Sequence, residues 1–244
     1  MKAIFGSLAV FATAFGGAVD AQDVEWETRI DEAELEQGEL HLGLYLAGER
    51  DGFMRLGWWR DGDALRIWDR TMLASQEIYE TYEAEVAAVD LAPRSVAIRF
   101  HTGSAEMRLD ASFDGRAGAG QVTINRPGSA LASRDVSVEL GEGVILRASS
   151  FVLAGLLELQ PGEFVQLDWY SPLSGAQESV TLTAMEMIEV ETPAGRFDTI
   201  RIEQRGGTPA NDIFVEQGTG RIVRIDIGGQ PMQFLALPDA EPAP

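Results

Sequence analysis

The chain has no cysteine. That excludes disulfides, a thiol nucleophile, thiolate metal sites and a lipidated cysteine. Lysine is nearly absent as well: Lys2 is the only one, and every other cation is arginine. The two histidines, His41 and His101, form no HExxH pair and no His-rich spacing. A transition-metal site therefore has too few ligands, and no metal or cofactor is expected. No GxSxG elbow or SxxK appears, and Ser104 of "TGSAE" (102–106) has no evident base nearby. The glycines of "GRAGAGQ" (115–121) lack the GK[ST] ending of a phosphate loop and run into a strand pattern. "DGD" (61–63) and "DASFDG" (110–115) lack the ligand series of a calcium loop and read as turn chemistry.

Positive charge is scarce as a class. Lys and Arg number 19 against 39 Asp and Glu, for a formal net charge of −20. Such a chain is repelled by phosphates, so nucleic acid and anionic lipid surfaces are poor partners. Met1-Lys2 is a short basic start, Ile4 to Ala18 is apolar and small, and Val19-Asp20-Ala21 places small residues at −3 and −1 of a cleavage site. This predicts a secretory signal peptide over 1–21, a periplasmic or secreted location, and no membrane span after cleavage. An exported chain without disulfides must rest on its core, which fits a bacterial periplasm. Residues 22–39 read as an acidic leader or short edge element, 40–237 as one domain, and 238–244 as a disordered tail. With 244 residues and 45% hydrophobic content, one sizeable core is available.

What is present is period two. Leu40, Leu42, Leu44 and Leu46 alternate with His41, Gly43 and Tyr45, and Met54, Leu56 and Trp58 follow. Asp61-Gly62 predicts a type I′ hairpin that sets Trp58 opposite Leu65 and Leu56 opposite Ile67. A four-residue loop at 101–104 pairs Ile98 with Met107 and Arg99 with Glu106. "DGRAGAG" (114–120) reads as a turn. Residues 75–88 fit strand or helix, with strand preferred. In the second half Gly218–Gly220 pairs Ile213 with Ile225, and Gly228-Gly229 pairs Ile225 with Met232. "ETPAGRF" (191–197) predicts a three-residue hairpin with Thr192 opposite Arg196 and Ile188 opposite Ile200. One helix stands out: Ser149-Ser150 as cap, an apolar run over 151–159, and a Pro-Gly stop. The fold class is all-β, mainly antiparallel. It is a curled meander forming a half-barrel, barrel or two-sheet sandwich, with one short apolar helix near 150–159.

Residues 149–237 resemble the exported bacterial proteins carrying a domain of unknown function often termed TapB-like. The likeness rests on the serine pair before "FVLAGLLEL", then "VETPAGRFDTIRIE", "IFVEQGTGRIVRID" and a closing apolar strand; "DLAPRSVAIRF" is an earlier echo. The resemblance implies a β-rich periplasmic fold and maps no catalytic residue. In architecture it is similar to the half-barrels of periplasmic lipoprotein carriers.

The function expected is non-enzymatic binding of a lipid or other hydrophobic ligand, or of an envelope partner. The candidate ligand-contacting residues are Phe151, Leu153, Leu156 and Leu157 of the helix with Trp58 and Trp169 of the sheet. One alternative is a glycan-active enzyme using two carboxylates, drawn from Glu77, Glu80, Glu83, Glu85 and Asp168, with the tryptophans as a sugar platform. The other is a structural or assembly module of the envelope.

Overall fold

In the computed structural model, residues 22–30 and 35–238 are described. The signal peptide read at 1–21 and all of the tail after residue 238 lie outside them. The elements in chain order are β1 (Gln22–Asp23), β2 (Gln37–Leu46), β3 (Glu49–Asp61), β4 (Ala64–Leu73), β5 (Ile78–Ala87), β6 (Pro93–Thr102), β7 (Ala105–Asp114), β8 (Ala117–Asn125) and β9 (Ala132–Glu139). There follow β10 (Ile145–Leu146), α1 (Ser149–Leu156), β11 (Glu163–Ser171), β12 (Ala176–Thr192), β13 (Gly195–Arg205), β14 (Asn211–Glu216), β15 (Ile222–Ile227) and β16 (Met232–Ala236). The segment 75–88 is thus mainly strand, as preferred from sequence.

All strands belong to one sheet built from two antiparallel meanders, β11 to β16 and β2 to β9, joined where β16 pairs with β2. Two short parallel pairings, β1 and β10, cover the outer edge of β11. The sheet curls into a half-barrel rather than splitting into a sandwich. Its two ends meet through side chains instead of a ladder. Phe113 of β7 packs edge-on against Tyr170 of β11, with centroids 6.2 Å apart. Gln177 of β12 accepts from the Gly141 N–H at 2.8 Å and donates to the Glu139 carbonyl at 2.9 Å, just past β9.

Alternation sends one apolar face inward, and α1 lies inside the curve with Val152, Leu153 and Ala154 fully buried in the single core. Val24, Trp26 and Leu35, from the stretch read as an acidic leader, also reach this core. The helix is Ser149–Leu156, not 151–159. Its N-cap is Ala148, and no side chain caps it. The chain already turns at Arg147, whose carbonyl accepts from the Ser150 N–H at 3.1 Å and from Ser150 Oγ at 2.8 Å. The serines therefore sit in the first turn. Glu158, at φ 43, ends the run before Leu159.

Several expected registers shift by two residues. Trp58 faces Ile67 and Leu56 faces Asp69. Ile98 faces Leu109, and Arg99 faces Arg108 rather than Glu106. Ile225 faces Phe234 rather than Met232, whereas Ile213 faces Ile225 as expected. The cause in the first two hairpins is the place of glycine. The first loop slides one residue to Gly62-Asp63, the four-residue loop at 101–104 shortens to Gly103-Ser104, and "DGRAGAG" closes on Gly115-Arg116. In each the glycine takes the first loop position at φ 66, 56 and 58. That is the Gly-X loop of a type II′ turn, and it leaves fewer backbone groups unpaired than the longer loop. In "ETPAGRF" the loop is Pro193-Ala194, so Thr192 faces Gly195 and Ile188 faces Thr199. Thr192 Oγ1 accepts from the Ala194 N–H at 3.1 Å and tightens it. A bulge between Ala184 and Met187 restores parity. Val190, Ile200 and Ile202 are then buried, and Ile188 is left 41% exposed.

The helix reaches the far side of the curve through a contact only glycine permits. A β-carbon on Gly155 would lie 2.6 Å from the Gly220 carbonyl oxygen in the β14–β15 turn. Gly155→Ala should gain about 1 kcal/mol of helix propensity. It should lose more, about 1–3 kcal/mol, because two backbones must separate. We expect urea unfolding to show net destabilisation; a variant more stable than the native chain would contradict this packing.

Candidate functional site

The helix does not fill the curve. Between its N-terminal end and the sheet lies a cavity of about 290 Å³. It lies by the rim of the β15–β16 turn, where Gln230 lines it. Its wall crosses contiguous strands: Ile225 and Ile227 (β15), Phe234 (β16), Met54 and Leu56 (β3), and Ile98 (β6). Ala148 and Phe151 at the start of the helix and Ser171–Leu173 of the β11–β12 turn complete the lining.

This apolar wall is interrupted by polar groups at inward positions. On β4 the inward series Leu65, Ile67 continues as Asp69, Thr71; on β5 it runs Glu80, Tyr82, Ala84, Val86. Pairing puts Asp69 between Leu56 and Tyr82, and Thr71 between Met54 and Glu80. Thr71 Oγ1 donates to Asp69 Oδ1 at 2.7 Å. Burial pushes the Asp69 carboxyl up to about 7, helped by the Glu80 charge and opposed by Thr71 and Arg70. Burial also raises Glu80, against the pull of Arg147. Tyr82, 6% exposed, is raised by burial and by both acids, and its hydroxyl has no hydrogen-bond partner.

Arg147 faces them from the β10–α1 junction. Its backbone N–H donates to the Tyr170 carbonyl at 3.1 Å, which fixes its place. Its guanidinium lies 5.6 Å from the centroid of the Trp169 ring. Trp169 Nε1 in turn donates to Glu178 at 2.9 Å. Burial lowers the Arg147 pKa, against the charges of Glu80 and Glu178. Among the described residues the Arg147 side chain makes no hydrogen bond or ion pair. From β14, Asn211 is 1% exposed, and both its amide atoms lack partners. The cavity is therefore apolar along most of its wall, with hydrogen-bonding capacity left unused at its polar groups.

Of the residues singled out from sequence, the structure brings Phe151 to this cavity. Trp58 and Leu156 line a second hollow of about 430 Å³ at the opposite end of the helix, beside Gly38 and Gly220. Leu153, Leu157 and Trp169 are core residues, 0%, 1% and 0% exposed. Of the acids, Glu80 lines the cavity. Glu77, Glu83 and Asp168 are exposed, and Glu85 pairs with Arg66 at 3.2 Å. Sequence reading missed Asp69, Thr71, Tyr82, Arg147 and Asn211. The signal for Asp69, Thr71 and Tyr82 is a polar residue continuing an inward parity; Arg147 and Asn211 sit at a junction and a strand start, where no period runs. Among the described residues no group of three His, Cys, Asp or Glu could hold a metal ion. No helix there is long and apolar enough to cross a membrane.

No protein-family model matches the chain, and no curated protein matches it. Among solved structures, it is similar to the crystal structure of a beta-barrel-like protein of domain of unknown function DUF1849 from Brucella abortus. The identity is 11%, the alignment covers 84% of this chain and 97% of that one, and the TM-score is 0.48. The TapB-like name finds no support in these comparisons.

Asp69 gives the site a pH signature. Its folded pKa lies above its unfolded one, so the folded chain keeps a proton that the unfolded chain releases. That contribution is fully present below the unfolded pKa and is lost as pH rises to about 7. Asp69→Asn removes this dependence. We expect the variant to gain about 2 kcal/mol on the native chain between pH 5 and pH 8 in urea unfolding. Parallel pH profiles would show that Asp69 is not desolvated.

Proposed function

We propose that this is an exported, non-catalytic β protein that holds a hydrophobic ligand in the rim cavity. The observation that carries this reading is the cavity wall: side chains of β3, β6, β15 and β16 converge with Phe151 on one apolar space. Its volume of about 290 Å³ sits at the lower end of ligand pockets, about 300–1,000 Å³. The export reading comes from residues 1–21. An uncharged naphthylamine probe should bind saturably, with one site per chain and enhanced fluorescence. Ile227→Trp, at a half-buried wall position, should fill the space and reduce uptake at least about fivefold. Absence of uptake by the native chain would end the reading.

One observation favours a second reading, a glycan-active enzyme. Asp69 and Glu80 are diagonal neighbours on adjacent strands in the same cavity, a spacing of roughly 7–8 Å. Burial holds one of them near the pKa of a general acid. Against it, the sugar platform it requires, Trp169 and Tyr170 with Trp58 and Trp59, does not line this cavity. Turnover of chromogenic glycosides that is lost in Glu80→Gln would favour the enzyme over the carrier.

A further inference from the structure

The polar groups of the cavity specify more than greasiness, and this step rests on the hydrophobic-ligand reading above. We propose that the cavity selects an acyl chain ending in a single carboxylate, with Arg147 and Asn211 as the donors that receive the head.

Three observations converge. Carboxylates outnumber cations about two to one in this chain, and arginines such as Arg55, Arg94 and Arg201 are ion-paired. Arg147 is half-buried in the cavity wall and yet makes no ion pair or hydrogen bond among the described residues. Its N–H donors are therefore unused although Trp169 and the charges of Glu80 and Glu178 act on it, and an anionic ligand would take them up. Asn211, 1% exposed on the same cavity, holds an amide whose donor and acceptor are both unused. A neutral amide on the same cavity as a guanidinium complements a carboxylate without adding charge. Trp169 backs the guanidinium from its far side at 5.6 Å, which limits where it can point.

Asp69 and Glu80 decide the charge of the head. Ionised, they would repel an anion and welcome an amine. Burial raises the pKa of both, Asp69 to about 7 and Glu80 against the pull of Arg147, so an anionic head beside Arg147 meets less negative charge than two ordinary carboxylates would give. A monoanion can be accommodated by proton sharing with a carboxyl raised in this way. A phosphate monoester, which carries close to two charges at neutral pH, meets more repulsion. The preference is therefore carboxylate over alcohol, amine and phosphate on the same chain.

The test is calorimetry of the purified full chain at pH 7 with decanoate, decanol, decylamine and decyl phosphate, each below its aggregation limit. Decanoate should bind at least about tenfold more tightly than each of the others, a factor set by one charge-assisted pairing. Arg147→Gln should bring the acid-to-alcohol ratio to near one, and Arg147→Lys should retain part of it. Equal binding of decanoate and decanol would overturn the carboxylate assignment while leaving the hydrophobic-ligand reading intact. Tightest binding of decylamine would overturn it in favour of the two acids, and of decyl phosphate in favour of a phosphate head. If none of the four binds, the hydrophobic-ligand reading fails and takes this inference with it. Should Arg147→Gln not fold, the native series and Arg147→Lys still decide.

Discussion

A sheet that curls must fill its own concave side. In this chain the inner face is apolar over nearly every strand, and water cannot be left against it without losing about 25 cal/mol for each Å². The chain meets the requirement with one short helix. The eight residues of α1 bury Val152, Leu153 and Ala154 against the sheet. Gly155 then brings the helix into backbone contact with Gly220 on the far side. Eight residues span only about 12 Å. The helix fills the middle of the curve and leaves hollows at both of its ends, one beside Phe151 and Arg147 and one beside Leu156 and Trp58. The cavity thus follows from the mismatch between the size of the curl and the length of its plug.

A hollow lined only by Leu, Ile and Phe would need no further account, since apolar voids can stay dry. This one is different because its wall carries Asp69, Glu80, Tyr82, Arg147 and Asn211. An unsatisfied buried polar group costs about 1–3 kcal/mol, and an apolar residue of similar size would avoid the loss. Such departures from local consistency concentrate at functional sites. Elsewhere the same chain pairs its charges closely: Arg201 reaches Glu186 at 2.9 Å and Glu203 at 2.6 Å, and Arg224 meets Asp226 at 2.6 Å. The gathering of five polar residues on one apolar hollow is what recommends the rim cavity as the proposed site.

Much of the fold was legible in the residues. The alternation Leu40, Leu42, Leu44 is buried on one face as its period requires, and the apolar run after Ser150 is the helix. What sequence did not supply was register. Asp61-Gly62 favours a turn with glycine second, yet the chain closes with Gly62 first. That single displacement places Asp69, rather than Ile67, beside Leu56. The inward parity of Asp69 was on the page, but an acid on a core face reads as the end of a strand until its neighbours are known. Arg147 and Asn211 are harder still. They sit at a junction and a strand start, where no period runs, and only the closing of the curve brings them to the same space as Glu80. The tryptophans part ways: Trp169 is 0% exposed and packs against Arg147, whereas Trp58 lines the hollow at the other end of the helix.

The central claim is that the hollow at the rim is an occupied site with a polar end, and one measurement addresses it most directly. A crystal structure of the chain grown with an alkanoic acid brominated at its far end would locate both ends of the ligand. The account predicts an anomalous bromine peak against Phe151, Ile225 and Phe234, with the carboxylate within hydrogen-bond distance of Arg147. A cavity closed by side chains, or a bromine peak confined to the hollow beside Trp58 and Leu156, would contradict it.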